Sequence, residues 1–118
     1  MTRIARAATA ALVALSLAVP AVASARSPDD RGRSEVHRVR MIDAGTNRFR
    51  PARITIDRRD RVRWDNTGSL THTTTSSDGD WDGRVAPGDS FTRRFRRSGT
   101  FTYRCTIHPE MTGTIVVR

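Results

Sequence analysis

"GTFTYRCTIHPEMTGTIVV", residues 99–117, holds the chain's single cysteine between two runs of β-branched and aromatic residues. In the first run Phe101, Tyr103 and Cys105 share one face at the two-residue spacing of a strand, and the second run, "TGTIVV", reads as its partner. The loop between them presents Cys105, His108 and Met111 at C-x-x-H-x-x-M spacing. Pro109 restricts that loop and removes a ladder donor from it. Cys105 ends a strand, so its side chain is rigidly placed.

Outward from this segment the chain breaks into short strand-like runs. "EVHRVRMI" (35–42) is closed by "DAGTN". "ARITID" and "RVRWDN" follow, with Ile54, Ile56, Val62 and Trp64 on one sheet face and a turn, "RRD", between them. "LTHTTTS" (70–76) is β-branched. "SDGDWDGRVAPGD" (77–89) is rich in Gly, Asp and Pro and reads as a long loop, in which Trp81 is expected to cover an edge. "SFTRRFRR" alternates aromatic and basic residues. No stretch has helical periodicity. About seven short strands at this spacing predict an all-β, Greek-key sandwich with little or no helix.

The first 25 residues have the form of a signal peptide: Arg3 and Arg6, the apolar "AATAALVALSLAV", then the small-residue site "ASA" at 23–25. Residues 26–34, "RSPDDRGRS", read as a flexible leader, and 35–118 as the folded domain. The expected location is outside the cytoplasm, periplasmic or extracellular, with no integral membrane segment after cleavage. Cleavage would leave 118 − 25 = 93 residues, enough for one small domain. The chain has no lysine. Removing Arg3 and Arg6 leaves 21 − 2 = 19 arginines against 12 acids, or +7. Arg38, Arg40, Arg61 and Arg63 alternate with apolar residues, as on the wet face of a strand, which favours a basic surface over a nucleic-acid groove. Such a surface suits partners with acidic docking faces.

One cysteine in an exported chain cannot close an internal disulfide. It is an intermolecular bridge, an inert buried thiol, a nucleophile or a metal ligand. A nucleophile needs an orienting group and an oxyanion site, and nothing in the sequence marks one. Zinc sites favour several cysteines or histidines and seldom use methionine. Thiolate, imidazole and thioether form a soft set that lacks one imidazole for the two-His, one-Cys site with weak axial Met that suits copper. Of the three histidines, His72 on its strand can reach the 105–111 loop, whereas His37 is expected to be an exposed strand residue. His72 is expected to lie deep and His108 nearer the surface. Asn66, Thr73 and Thr106 are candidates to orient the ligands through hydrogen bonds.

Over nearly all of residues 35–118 the sequence resembles a cupredoxin of the plastocyanin and azurin superfamily. "FRPARITIDRRDRVRWDN", "LTHTTTS", "APGDSFTRRF" and above all "GTFTYRCTIHPEMTGTIVV" carry the likeness, and the short "CTIHPEM" loop is similar to that of amicyanin. The resemblance implies His72, Cys105, His108 and Met111 as ligands of one copper ion cycling between Cu(I) and Cu(II). It also implies a blue, monomeric carrier of single electrons between a redox donor and acceptor. Copper buffering or delivery by the same site is the alternative. A self-contained copper enzyme would need further histidines. Thr73 stands where the family often has Asn, and Glu110 places a carboxylate in the ligand loop.

Overall fold

The computed structural model describes residues 9–16, 18 and 32–118. The segment read as a signal peptide lies largely outside the described residues, as does the stretch read as a leader up to residue 31. Gly32–Arg118 form one compact unit. Among the described residues, no helix is long and apolar enough to cross a membrane.

Nine strands build this unit: β1 (Val36–Ile42), β2 (Arg48–Arg50), β3 (Arg53–Ile56), β4 (Arg61–Asn66), β5 (His72–Ser76), β6 (Asp82–Val85), β7 (Ser90–Arg94), β8 (Gly99–Arg104) and β9 (Thr112–Val117). They form two sheets, ordered β2-β1-β4-β7 and β3-β9-β8-β5-β6. β1 runs parallel to β4, and β3 parallel to β9. Antiparallel pairing joins β8 to β9, with Tyr103 opposite Gly113, and β5 to β6, with His72 opposite Val85. The result is the expected all-β sandwich.

Two strands exceed the sequence reading, β2 and β6, and both lie on sheet edges. β2 has three residues, and β6 sits inside the Gly/Asp-rich stretch that reads as loop. An edge strand needs partners on one side only, so short and turn-rich segments can serve.

The core follows the period-two alternation. Val62, Trp64 and Asn66 of β4 point inward, as do Ile115 and Val117 of β9 and Val39 and Met41 of β1. Trp64, fully buried, packs its ring 5.4 Å from Tyr103 and 5.9 Å from both Trp81 and Phe91. Trp81 does not merely cover an edge. It is 5 % exposed, and its indole N–H donates to Thr74 Oγ1 at 3.0 Å. Glycine is required at position 113, because a Cβ there would overlap the Tyr103 ring.

At the end where β1 and β4 begin, buried Asp60 acts as a lock. Its Oδ1 accepts the Glu35 main-chain N–H, and its Oδ2 accepts the Asp57 N–H and faces His37 Nε2 at 2.9 Å. His37 is therefore not the freely exposed residue expected: its side chain is 20 % accessible and tied to Asp60.

Candidate metal centre

The opposite end of the sandwich gathers four segments: the 43–47 and 66–71 loops, the 86–89 turn and the 105–111 loop. β8 delivers Cys105, buried, to this end. The loop beyond closes on itself, because Met111 N–H donates to His108 O and Cys105 N–H to Met111 O, each at 2.9 Å. Met111 is buried, and His108 is half-buried. β5, the strand paired beside β8, brings in His72 with zero exposure.

His72 Nδ1 and His108 Nδ1 lie 3.2 Å apart, and Cys105 Sγ lies 3.9 and 3.7 Å from them respectively. Two imidazole lone pairs and a sulfur thus point at one another within 4.8 Å. Facing lone pairs repel unless a proton or a cation lies between them. The set is soft and mixed and contains no carboxylate. It fits one copper ion better than zinc.

A ring of hydrogen bonds fixes the donors. The Thr73 main-chain N–H donates to Cys105 Sγ at 3.2 Å. Thr73 Oγ1 accepts the Thr106 N–H at 2.8 Å and lies 2.9 Å from Thr75 Oγ1 and 3.2 Å from Thr106 Oγ1. Thr73 and Thr106 therefore tie the two ligand segments together. Asn66 works one step further out. Its Nδ2 donates to the Leu70 and Val85 carbonyls, and its Oδ1 accepts the Gly68 N–H.

One residue escaped the sequence reading. Asp43 Oδ2 lies 3.5 Å from His72 Nε2, a nitrogen that is otherwise buried without a hydrogen-bond partner. That distance is within ion-pair range but longer than a full hydrogen bond. The carboxylate is itself held by the Ser69 and Leu70 N–H groups, each at 2.7 Å. A carboxylate here keeps the His72 proton on Nε2 and leaves Nδ1 free to ligate. No signal in "DAGTN" links position 43 to position 72, because the contact exists only after β1 and β5 are placed. Asp43→Ala is expected to weaken copper binding by roughly 10–100-fold. Competition with a chelator of known affinity measures it, and an unchanged affinity would contradict the role.

Burial pushes the His72 imidazole below its ordinary value of 6.5, and the neighbouring His108 adds to this, while Asp43 opposes it. His72 therefore stays neutral at pH 7, as a ligand must. Between the lowered folded value and 6.5 the unfolded chain binds more protons. The metal-free protein should accordingly lose stability as pH falls from 6.5 through that window. Urea midpoints across this range, compared with His72→Gln, check it. A slope that survives the substitution would contradict it. Asp43 and Glu110 are both held below their ordinary carboxylate values, Asp43 chiefly by the Leu70 N–H, Glu110 by its own main-chain N–H and then by Asn47.

Among the described residues, a second group of possible donors converges at Glu35, His37 and Asp60. The Asp60 oxygens there already accept two main-chain N–H groups and face His37, so the cluster is accounted for by strand locking.

Comparison with known proteins agrees with this geometry. The family model for the cupredoxin-like domain matches residues 8–117. No curated protein matches the chain. Among solved structures, an oxidised plastocyanin from Dryopteris crassirhizoma superimposes with a TM-score of 0.62 at 22% identity, covering 70% of this chain and 100% of that one. A reduced amicyanin variant gives 0.61 at 20% identity, covering 70% and 82%. A copper-containing nitrite reductase from Thermus scotoductus gives 0.60 at 24% identity, covering 69% of this chain but only 22% of the reductase. At these identities each likeness is one of fold. The match over residues 8–117, on a sandwich that carries the convergent His72, Cys105 and His108 donors, shows that the chain belongs to the cupredoxin-like domain family.

Proposed function

We propose that the protein is an exported carrier of single electrons, with one copper ion held by His72, Cys105, His108 and Met111. The convergence of two Nδ1 atoms and one buried sulfur at the end of a rigid sandwich supports this most strongly. Bound copper supplies a one-electron couple between its +1 and +2 states. The chain's own residues hold the donors so that neither state demands rearrangement. The Thr73 N–H draws electron density from Sγ, which favours the reduced state and raises the potential.

His108 is the less buried imidazole, and Leu70 and Ile107 at the same end are 46% and 43% exposed. These three residues form the contact face through which a monomeric carrier meets its donor and acceptor in turn. No arginine lies in the four segments around this face. Acidic redox partners are steered by the domain's net positive field at long range, and Leu70 and Ile107 supply apolar contact around His108, with the exposed Glu110 carboxylate at its side. The remaining histidine, His37, is bound to Asp60. That leaves no imidazoles for a second copper centre and argues against a self-contained oxidase or reductase.

Voltammetry in the presence of a Cu(I) chelator separates electron carriage from copper delivery. The expected result is a reversible one-electron wave with copper retained. Rapid loss of copper to the chelator would favour delivery and contradict the carrier reading.

A further inference from the structure

The stretch "SFTRRFRR" (90–97) alternates aromatic and basic residues, and the metal centre uses none of them. β7 ends at Arg94, and the 95–98 turn leads into β8. Two main-chain bonds pin that turn: Phe95 N–H donates to Asp60 O, and Arg59 N–H to Phe95 O. Between the end of β7, the turn and Phe101 of β8 lies an open cleft of about 600 Å³. Its walls are Arg93, Arg94, Phe95, Arg96, Arg97 and Phe101. Clefts of roughly 300–1,000 Å³ suit an organic molecule rather than a single inorganic ion.

Four arginines and no acid line this cleft. Arg97 alone among them meets a carboxylate, Asp80 at 3.7 Å. Asp78, exposed on the 77–80 turn, is not in the lining. Arg94 and Arg96 are exposed, and their side chains make neither an ion pair nor a hydrogen bond among the described residues. Arg93 is held in place: its guanidinium lies 5.0 Å from the Trp81 ring and 5.5 Å from the Phe95 ring, and its Nη1 donates to Asp80 O at 2.6 Å. Its Nε–H is buried without an acceptor, a costly state that an oxyanion settling beside it relieves. Like charges gathered in one cleft repel, and a bound anion offsets that repulsion. Phosphate suits best, because its oxygens accept bidentately from guanidinium forks and a dianion can be shared between two of them. The aromatic walls add a second requirement. Phe95 is buried and Phe101 half-buried, with ring centroids 5.5 Å apart. A planar ring in the cleft stacks on Phe101 and on the guanidinium planes, contacts that inorganic phosphate leaves unmade.

We propose that this cleft binds a small planar aromatic phosphate monoester, with the phosphate among the arginines and the ring against Phe101. The site is separate from the metal centre. Phe101 lies four residues before Cys105, about 13 Å of extended chain, and no metal donor is in the lining. The proposal therefore stands or falls independently of the copper reading.

Calorimetry on the intact protein, with and without copper, measures affinity for 1-naphthyl phosphate, 1-naphthol and inorganic phosphate. The naphthyl phosphate is expected to bind at least about 10-fold more tightly than either fragment. Replacing Arg94, Arg96 and Arg97 together with Gln should weaken it by about 100-fold. The three single replacements guard against misfolding of the triple variant, and each should cost about 5-fold. Phe101→Leu should weaken naphthyl phosphate by about 5-fold and leave inorganic phosphate unchanged. Arg40, Arg50 and Arg53 are exposed on β1, β2 and β3. Replacing these three with Gln removes the same charge elsewhere and should weaken binding by less than about 3-fold. Equal affinity for naphthyl phosphate and inorganic phosphate would overturn the proposal. So would equal losses in the two triple variants, no measurable binding, or an affinity that changes with copper.

Discussion

Cys105→Ser should yield a copper-loaded protein without blue colour and with copper affinity lowered by several orders of magnitude. Strong colour requires charge transfer from a thiolate, and the chain has no other sulfur of that kind. Sγ is also the atom that receives the Thr73 N–H and faces both Nδ1 atoms, so its removal unties the ligand ring at its centre. A serine hydroxyl fills the same space, accepts the Thr73 N–H and leaves β8 and β9 paired. Far-ultraviolet circular dichroism should therefore match the wild type while the visible absorption disappears. A variant that stays blue would remove Cys105 from the site.

Trp64→Ala should have the largest effect on stability, roughly 3–5 kcal/mol. Trp64 is fully buried at the centre of the sandwich and packs against Tyr103 and Trp81 across the sheets and against Phe91 on the neighbouring strand. Truncation leaves a cavity bounded by the Tyr103, Trp81 and Phe91 rings, which sit on three separate segments of the two sheets and cannot all collapse inward. Small domains are stable by about 5–15 kcal/mol in total, so the metal-free variant should be close to unfolding at room temperature. Copper should restore part of the loss, since it binds the folded state. Urea titrations of the metal-free and copper-loaded forms measure both effects. A loss below about 1 kcal/mol would show that the aromatic cluster is not the core's main support.

The closeness of Cys105 and His108 was legible because the two donors sit three residues apart on one short loop, which needs no tertiary information. His72 was legible by a different route: the chain has few histidines, and this one opens a β-branched run that a sandwich brings to the right end. Asp43 was illegible because its contact with His72 depends on where two strands from different sheets finish. Trp81 was misread because the Gly and Asp residues around it look like a loop, although β6 pairs there through its main chain.

The central claim is that His72, Cys105, His108 and Met111 hold one copper ion in a trigonal site with a weak axial bond. Its most direct test is titration of the metal-free protein with Cu(II), followed by visible absorption and electron-spin resonance. The account predicts saturation at one equivalent, an intense blue band and the narrow copper hyperfine splitting of a strongly covalent copper–thiolate bond. A pale solution with the wide splitting of a tetragonal site at saturation would contradict it.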